Sequence, residues 1–267
     1  MYSPHYSELN HNLQQMQQEQ QDSAILQRTE NWKRLRLGKF TSGHAYIFMA
    51  NSKVHGEPNA TVKTFITQKL WELVTGHAKD LKTWQMEHGN TWEPFAKKMV
   101  QDRYKSEYFD ELFIQNPLLP YHGGSPDGSI LINGMDTTAE IKCPVGEEQL
   151  ANIKHFRSEE ALKIGYPELY WQCQSNMYLQ KTKIALPVTF NHEGQELMYK
   201  DMFLSRNDED INKMFVKMAE GWEWMKKEAE LYNIDILAKY AEYAKPLVNG
   251  MPPIDINEAT RHLTNAA

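Results

Sequence analysis

A mixed α/β fold is predicted for this chain of 267 residues, and three observations predict it. Apolar residues recur at helical spacing in several segments, the clearest of which stops before Gly76. Two β-rich runs, Ser129-Ile130-Leu131-Ile132 and Thr137 to Cys143, flank the turn pair Asn133-Gly134, which is a hairpin signature. Strand and helix signals then continue on both sides of that hairpin, which places it centrally in the fold. At 41% hydrophobic residues the chain suits one large domain with a sizeable core, or one domain with decorations.

In chain order, residues 1–23 are rich in Gln, Asn and His and have little apolar surface, apart from a weak helical pattern from Leu13 to Gln21. They are read as a polar arm, mobile or docked on a neighbour. The globular part runs from 24 to 232. Residues 61–75 form its first strong helix. A second is predicted over 90–106, starting after Gly89, with Pro94 in its first turn and Trp92, Phe95, Met99 and Val100 as its apolar stripe. After the hairpin, which Pro144 ends, residues 147–164 are expected to be helical, and so are Glu168 to Gln180. Strands follow over Ile184 to Phe190 and Glu196 to Leu204, separated by His192-Glu193-Gly194. Asp208 to Leu231 is an amphipathic helix whose Ile211, Met214, Phe215, Met218, Trp222 and Met225 are core positions. The tail, 233–267, holds a short helix and then the prolines Pro246, Pro252 and Pro253.

Composition narrows the function. No run of roughly 18 apolar residues occurs, so no membrane span is expected, and no apolar stretch follows a basic start. The two cysteines, Cys143 and Cys173, are too few for a disulfide framework or a four-thiolate iron–sulfur cluster, and a reducing, cytoplasmic setting is the simplest reading. The net charge of −6 is unusual for a nucleic-acid-binding protein. Local basic clusters exist nonetheless, at Lys33-Arg34-Leu35-Arg36 with Lys39 and at Lys97-Lys98 with Arg103 and Lys105, and phosphates respond to local charge.

Two short segments carry the chemistry: Gly124-Ser125-Pro126-Asp127-Gly128 and Ala139-Glu140-Ile141-Lys142-Cys143-Pro144. Side chains alternate along a strand, so Glu140 and Lys142 share one face while Ile141 takes the other. Two acids and an ammonium on adjoining strands suit a divalent cation and an attacking water. Mg²⁺ is bound by one or two carboxylates plus waters and substrate oxygens. Asp127, Glu140 and the backbone carbonyl of Ile141 are the candidate metal ligands, and Lys142 would orient or deprotonate the water. His122 is a weaker ligand candidate, and Cys143 is read as packing.

The same segments resemble the core of the PD-(D/E)xK nucleases, and specifically the YqaJ or phage lambda exonuclease branch of alkaline exonucleases. The similarity continues through Gln27-Arg28-Thr29, Trp32-Lys33-Arg34-Leu35-Arg36-Leu37-Gly38, Phe40-Thr41-Ser42-Gly43, Gly89 to Glu93, and Tyr170 to Tyr178, in the family's order over roughly 25–230. This resemblance implies a central mixed sheet with a catalytic hairpin flanked by helices. It also implies an exonuclease, dependent on two Mg²⁺ ions with Mn²⁺ as the alternative, that digests linear double-stranded DNA from 5′ to 3′ and exposes a 3′ strand for recombination. It assigns Arg36 to a pocket for the 5′-phosphate, with Ser42 and Ser125 as further phosphate contacts; Ser42 stands beside Gly43, where the family often has Ser. It places Glu93 near the metals and Gln172 on the site, with Gln174 two residues away and so on another face. It further implies phage or prophage origin, a homotrimeric ring around DNA, and a single-strand annealing partner of the Red-beta or RecT type. The rival readings are an endonuclease or CRISPR-associated exonuclease on the same core, and a non-catalytic DNA-binding protein. The intact Asp127, Glu140 and Lys142 set argues against the last of these.

Overall fold

The computed structural model describes residues 29–50, 57–78, 84–109, 112–193 and 199–245. The arm at 1–23, the Gln27-Arg28 part of the first motif and the prolines of the tail lie outside the described residues.

The centre of the molecule is a mixed sheet ordered β2-β5-β6-β7-β8, with β9 also pairing with β7. Its strands are β2 (Tyr108–Phe109), β5 (Gly128–Ile132), β6 (Met135–Lys142), β7 (Ile184–Phe190), β8 (Tyr199–Asp201) and β9 (Leu204–Ser205). The predicted hairpin is β5–β6, paired antiparallel from Gly128 opposite Ala139 to Ile132 opposite Met135. Asn133 and Gly134 both have positive φ, 51° and 77°, which matches the right-handed twist of the strands they join. β6 then pairs parallel with β7, with Glu140 opposite Pro187 and Lys142 opposite Thr189. A parallel neighbour requires a crossover, and residues 147–180 supply it as helices. A smaller sheet, β1-β4-β3, joins β1 (Phe40–Thr41), β3 (Ile114–Gln115) and β4 (His122–Gly124).

The helices Ala60–Thr75, Pro167–Gln180 and Asp208–Leu231 stand where the apolar periodicity placed them. In the last of these Ile211, Met214, Met218 and Met225 are buried, and Phe215 and Trp222 pack against the core. Pro167–Gln180 is buried over most of its length, since it packs on the short turn at Ser42–His44 as well as on β6 and β7. The tail does carry a short helix, Ile236–Ala244, which packs on the helices Glu30–Arg36 and Ala60–Thr75.

Three boundaries differ from expectation. The second helix runs Trp84–Tyr104, straight through Gly89 and Pro94. Its buried residues are Ala96 and Val100, whereas Phe95 and Met99 are exposed. Packing of Ala96 and Val100 against Ile130, Ile141 and Leu186 holds the helix and outweighs the local breakers. Residues 147–164 form two helices, Glu147–Ile153 and Glu159–Gly165. Phe156 turns into the core between them, and Ser158 restarts the chain by accepting from Ala161 N at 3.1 Å. The strand expected over 196–204 is split into β8 and β9 in its described part. Pro187 on β7 explains the split. Its carbonyl accepts from Met202 N at 3.4 Å, so its missing N–H faces the same neighbour and the ladder cannot continue there.

Candidate nuclease site

The β5–β6 hairpin brings the two motif segments together. Asp127 sits just before β5, and its Oδ2 accepts from Ile141 N at 2.7 Å. The N–H and C=O of one strand residue point the same way, so the Ile141 carbonyl also faces the Asp127 side, beyond the start of β5. Glu140 and Lys142 share the opposite side of the pleat from Ile141. The Ile141 side chain packs with Val100, Ile130 and Val188, and Lys142 Nζ lies 3.6 Å from Glu140 Oε2.

Glu140 is fully buried, with Oε1 accepting from Asn176 Nδ2 on the Pro167–Gln180 helix. Its other oxygen, Oε2, is buried without a hydrogen-bond partner. Burial and the nearby Asp127 carboxylate raise the Glu140 pKa well above the usual range, with Lys142 opposing. Asp127 is raised too, by burial first and then by Glu93, against Lys142 and the Ile141 N–H. Burial lowers the Lys142 pKa, but Asp127 and Glu140 more than offset it and the ammonium is held protonated. Two carboxylates that resist ionisation, one with an orphaned oxygen, form an electrostatic arrangement that a divalent cation would relieve. Among the described residues no three His, Cys, Asp or Glu side chains gather as a metal centre. The oxygen groups that could hold such a cation are Asp127, Glu140 and the Ile141 carbonyl, a set that would suit Mg²⁺ or Mn²⁺ better than a closed structural Zn²⁺ site.

With Glu140 buried behind them, Asp127, Ile141 and Lys142 open on a cleft of about 940 Å³. Glu93 and Gln172 lie on its walls, from the Trp84–Tyr104 and Pro167–Gln180 helices. Glu93 is paired with Lys97 at 2.9 Å. Gln174 points elsewhere: it is buried, donates to Ser205 O at 2.9 Å and accepts from Asn207 N at 2.9 Å. Arg36 and Ser125 are on the cleft wall as well, with Arg36 Nη1 donating to Ser125 Oγ at 3.3 Å. Burial lowers the Arg36 pKa to about 10, partly offset by Glu72, so the guanidinium stays charged at neutral pH.

Ser42 is placed differently from the phosphate role expected for it. It is buried, and its hydroxyl shares a hydrogen bond of 2.8 Å with Ser175. That same Ser175 hydroxyl meets His122 Nε2 at 2.9 Å, and His122 Nδ1 meets Asn116 at 3.1 Å. Both ring nitrogens of His122 are thus engaged in an internal network, which removes it as a metal ligand. Gly43, not Ser42, reaches the cleft wall, where a Cβ would have only Gln172 Cδ nearby at 4.0 Å. Gly124 permits this close packing of β4, because a Cβ there would overlap Ser42 Oγ and Asn176 Oδ1. Cys143 is a thiol with its pKa raised to about 12 by burial, Glu93 and Asp127, consistent with packing.

Of the basic clusters, the first divides. Lys33 and Arg36 face the cleft, while Arg34 donates to Glu242 O at 3.3 Å and Lys39 to Pro120 O at 2.8 Å. In the second, Lys98 pairs with Asp102 on a solvated face and Arg103 with the largely buried Asp201, while Lys97 pairs with Glu93 in a largely buried position beside the cleft.

Sequence reasoning passed over Trp32, Asn176, His44 and Tyr166. Trp32 Nε1 donates to Ser125 Oγ at 2.9 Å, and the Arg36 guanidinium lies 4.1 Å from its ring centroid. The spacing of 32 and 36, and of 172 and 176, is one helical turn and puts each pair on one face, which is the signal that was available. His44, on the cleft, is kept neutral with its pKa lowered to about 3 by burial, Lys69 and Arg36. Tyr166 reaches the cleft from a segment with no motif to mark it.

Residues 31–183, more than half of the chain, match the model of the YqaJ-like viral recombinase domain. No curated protein matches the chain. Among solved structures, the alkaline exonuclease LHK-Exo from Laribacter hongkongensis is similar at a TM-score of 0.65 and 21% identity, over 77% of this chain and 96% of that one. LHK-Exo in complex with dAMP gives 0.66 and 21%, over 76% and 96%. A phage-related exonuclease from Haemophilus somnus 129PT gives 0.59 and 14%, over 73% and 96%. These likenesses establish the fold.

Proposed function

Because the chain belongs to the YqaJ-like viral recombinase domain family, we propose that it is a divalent-metal-dependent exonuclease that digests linear double-stranded DNA from its 5′ ends. The observation that carries this reading is a single cleft with Asp127, Ile141 and Lys142 along its wall and Arg36, Trp32 and Ser125 on the same surface. One part suits hydrolysis of a phosphodiester and the other suits a terminal phosphate.

Asp127, Glu140 and the Ile141 carbonyl would hold Mg²⁺ or Mn²⁺, one ion or two. A cation bound there supplies charge neutralisation at the phosphate and a bound water of lowered pKa. The chain's own groups do the rest. The protonated Lys142 donates to and orients the attacking water or a phosphate oxygen, and the charge it carries stabilises the one that develops. Glu93, on the same cleft, adds negative potential beside Asp127. Gln172 supplies an uncharged donor and acceptor for substrate or water. Arg36, with its fork of donors, grips the 5′-phosphate, and Trp32 and Ser125 set its direction. Product strands with a 3′ overhang fit use by a single-strand annealing partner, and a ring of three copies would keep the enzyme on its DNA. An intracellular, phage-derived recombination setting follows from the same family reading. Among the described residues no helix is long and apolar enough to cross a membrane.

The test uses linear duplex DNA labelled at the 5′ or the 3′ end, beside a closed circle, with Mg²⁺ or Mn²⁺ and an Asp127→Ala control. Release of 5′-terminal mononucleotide, an intact circle and an inactive variant are expected. Cutting of the circle would overturn the exonuclease assignment in favour of an endonuclease, and no cutting with either metal would leave a DNA-binding protein.

A further inference from the structure

We infer that Tyr240, on the C-terminal helix Ile236–Ala244, is a positioning residue for the DNA-end pocket: its hydroxyl fixes the turn that aims Arg36. The inference rests on the reading of Arg36, Trp32 and Ser125 as that pocket.

Arg36 is the last residue of its helix, and the chain reverses immediately after it. Lys39 N donates back to Arg36 O at 3.1 Å, and Gly38 takes the left-handed conformation at φ 69° that the reversal needs. A turn of this kind fixes the helix end only if its own polar groups are fixed. Gly38 N donates to Glu72 Oε2 at 3.0 Å, and Glu72 is itself held by Lys69 at 2.8 Å. Gly38 O accepts from Tyr240 Oη at 2.8 Å. The turn is therefore gripped from two sides, by the Ala60–Thr75 helix and by the C-terminal helix.

The Tyr240 ring also supports Lys39, which leads to the other half of the pocket. Lys39 Nζ lies 4.2 Å from the ring centroid and donates to Pro120 O, on the segment that enters β4 and leads to Ser125. Phe40 N closes the same junction on Tyr121 O at 2.7 Å. Lys39, held against the Tyr240 ring, thus ties the segment that leads to Ser125 to the turn that delivers Arg36. The Tyr240 ring is itself wedged, stacked at 6.2 Å on Trp222, which stacks at 4.8 Å on Tyr121. The helix is anchored at two further points, Arg34 to Glu242 O and Tyr243 Oη to Leu73 O at 2.7 Å. It lies outside residues 31–183, so this clamp comes from chain beyond the matched domain.

Tyr243 provides the matched control. It sits on the same helix and loses the same kind of hydrogen bond as Tyr243→Phe, but its hydroxyl goes to the Ala60–Thr75 helix and not to the Arg36 turn. The experiment compares kcat/KM on linear duplexes with 5′-phosphate and 5′-hydroxyl ends for wild type, Tyr240→Phe and Tyr243→Phe, with thermal unfolding of each. Tyr240→Phe is expected to lower the phosphate preference roughly tenfold, through KM and not kcat, because a buried carbonyl loses its donor and the turn relaxes. Tyr243→Phe is expected to unfold at lower temperature with the preference kept. An unchanged preference in Tyr240→Phe, or an equal loss in both variants, overturns the inference while leaving the pocket intact. A wild type with no preference for 5′-phosphate overturns the pocket reading itself.

Discussion

Acid should weaken this protein through its buried imidazoles, and at His122 the size of the effect follows from its surroundings. His122 is 0% exposed, and its two nitrogens are engaged by Asn116 and Ser175. Burial, and then the Lys39 ammonium, push its pKa from 6.5 to about 3. The unfolded chain therefore takes up a proton near pH 6.5 that the folded chain refuses until near pH 3. For a group whose folded pKa is depressed, the stabilisation is complete above the unfolded value and is lost as the pH falls. The loss is about 1.4 kcal/mol per pH unit, or roughly 5 kcal/mol by pH 3. That is on the order of a whole domain's stability. Asp127 and Glu140, whose pKa values are raised, act oppositely, since the folded state gains protons first. The perturbation that isolates His122 is His122→Gln, which can keep both hydrogen bonds without titrating. Urea unfolding of wild type and variant would be followed by tryptophan fluorescence at pH 8, 7, 6 and 5, in EDTA so that no metal contributes. The variant should be less stable at pH 8, by about 1 kcal/mol if its hydrogen bonds fit less well. The gap should then close by about 1.4 kcal/mol for each unit below pH 6.5, because every other group cancels in the difference. Curves that stay parallel from pH 8 to pH 5 would refute the buried, neutral imidazole.

Three further outcomes are expected. Glu140→Gln should abolish cutting yet unfold at a higher temperature than wild type in EDTA. It replaces a buried carboxyl whose ionisation burial and Asp127 oppose and whose Oε2 has no hydrogen-bond partner, and a gain on the order of 1 kcal/mol would appear as roughly 2–4 °C in a differential scan. Gly124→Ala should cost about 1–3 kcal/mol, read from denaturant midpoints, because its Cβ would overlap Ser42 Oγ and Asn176 Oδ1 inside a packed core. Trp32→Ala should weaken the use of 5′-phosphorylated ends by raising KM, since Ser125 loses a donor and Arg36 its stacking surface. A kcat loss with KM unchanged would place Trp32 in the chemical step instead.

The legible parts of the site were those whose geometry is local. Glu140 and Lys142 share a side of β6 because strand period is two, and Asp127 meets Ile141 because the Asn133-Gly134 turn sets the register. The separation of Gln172 from Gln174 was equally local, and the structure sends them to the cleft and to Ser205 respectively. Ser42 was not legible, because Ser42 and Gly43 are adjacent and only the packing of Ser175 and Gly124 decides which one faces inward. The start of the Trp84–Tyr104 helix was misplaced for a related reason: Gly89 and Pro94 are real local breakers, and only the distant partners of Ala96 and Val100 outweigh them. The break at Ser158 could have been read, since a serine followed by two glutamates is a helix start.

The sequence by itself determined the α/β class, the hairpin and its turn, the grouping of Asp127, Glu140 and Lys142, and the amphipathic faces of the long helices. Each depends on spacing within one element or across one turn, and backbone geometry fixes those distances. Tertiary structure alone decided that Trp32, Ser125 and Arg36 form one wall, that Asn176 holds Glu140, and that Tyr240 grips the Arg36 turn from 202 residues away. Those contacts join segments whose separation along the chain carries no periodicity, so only the closed core, with its side chains packed and its polar groups paired, determines which of them meet.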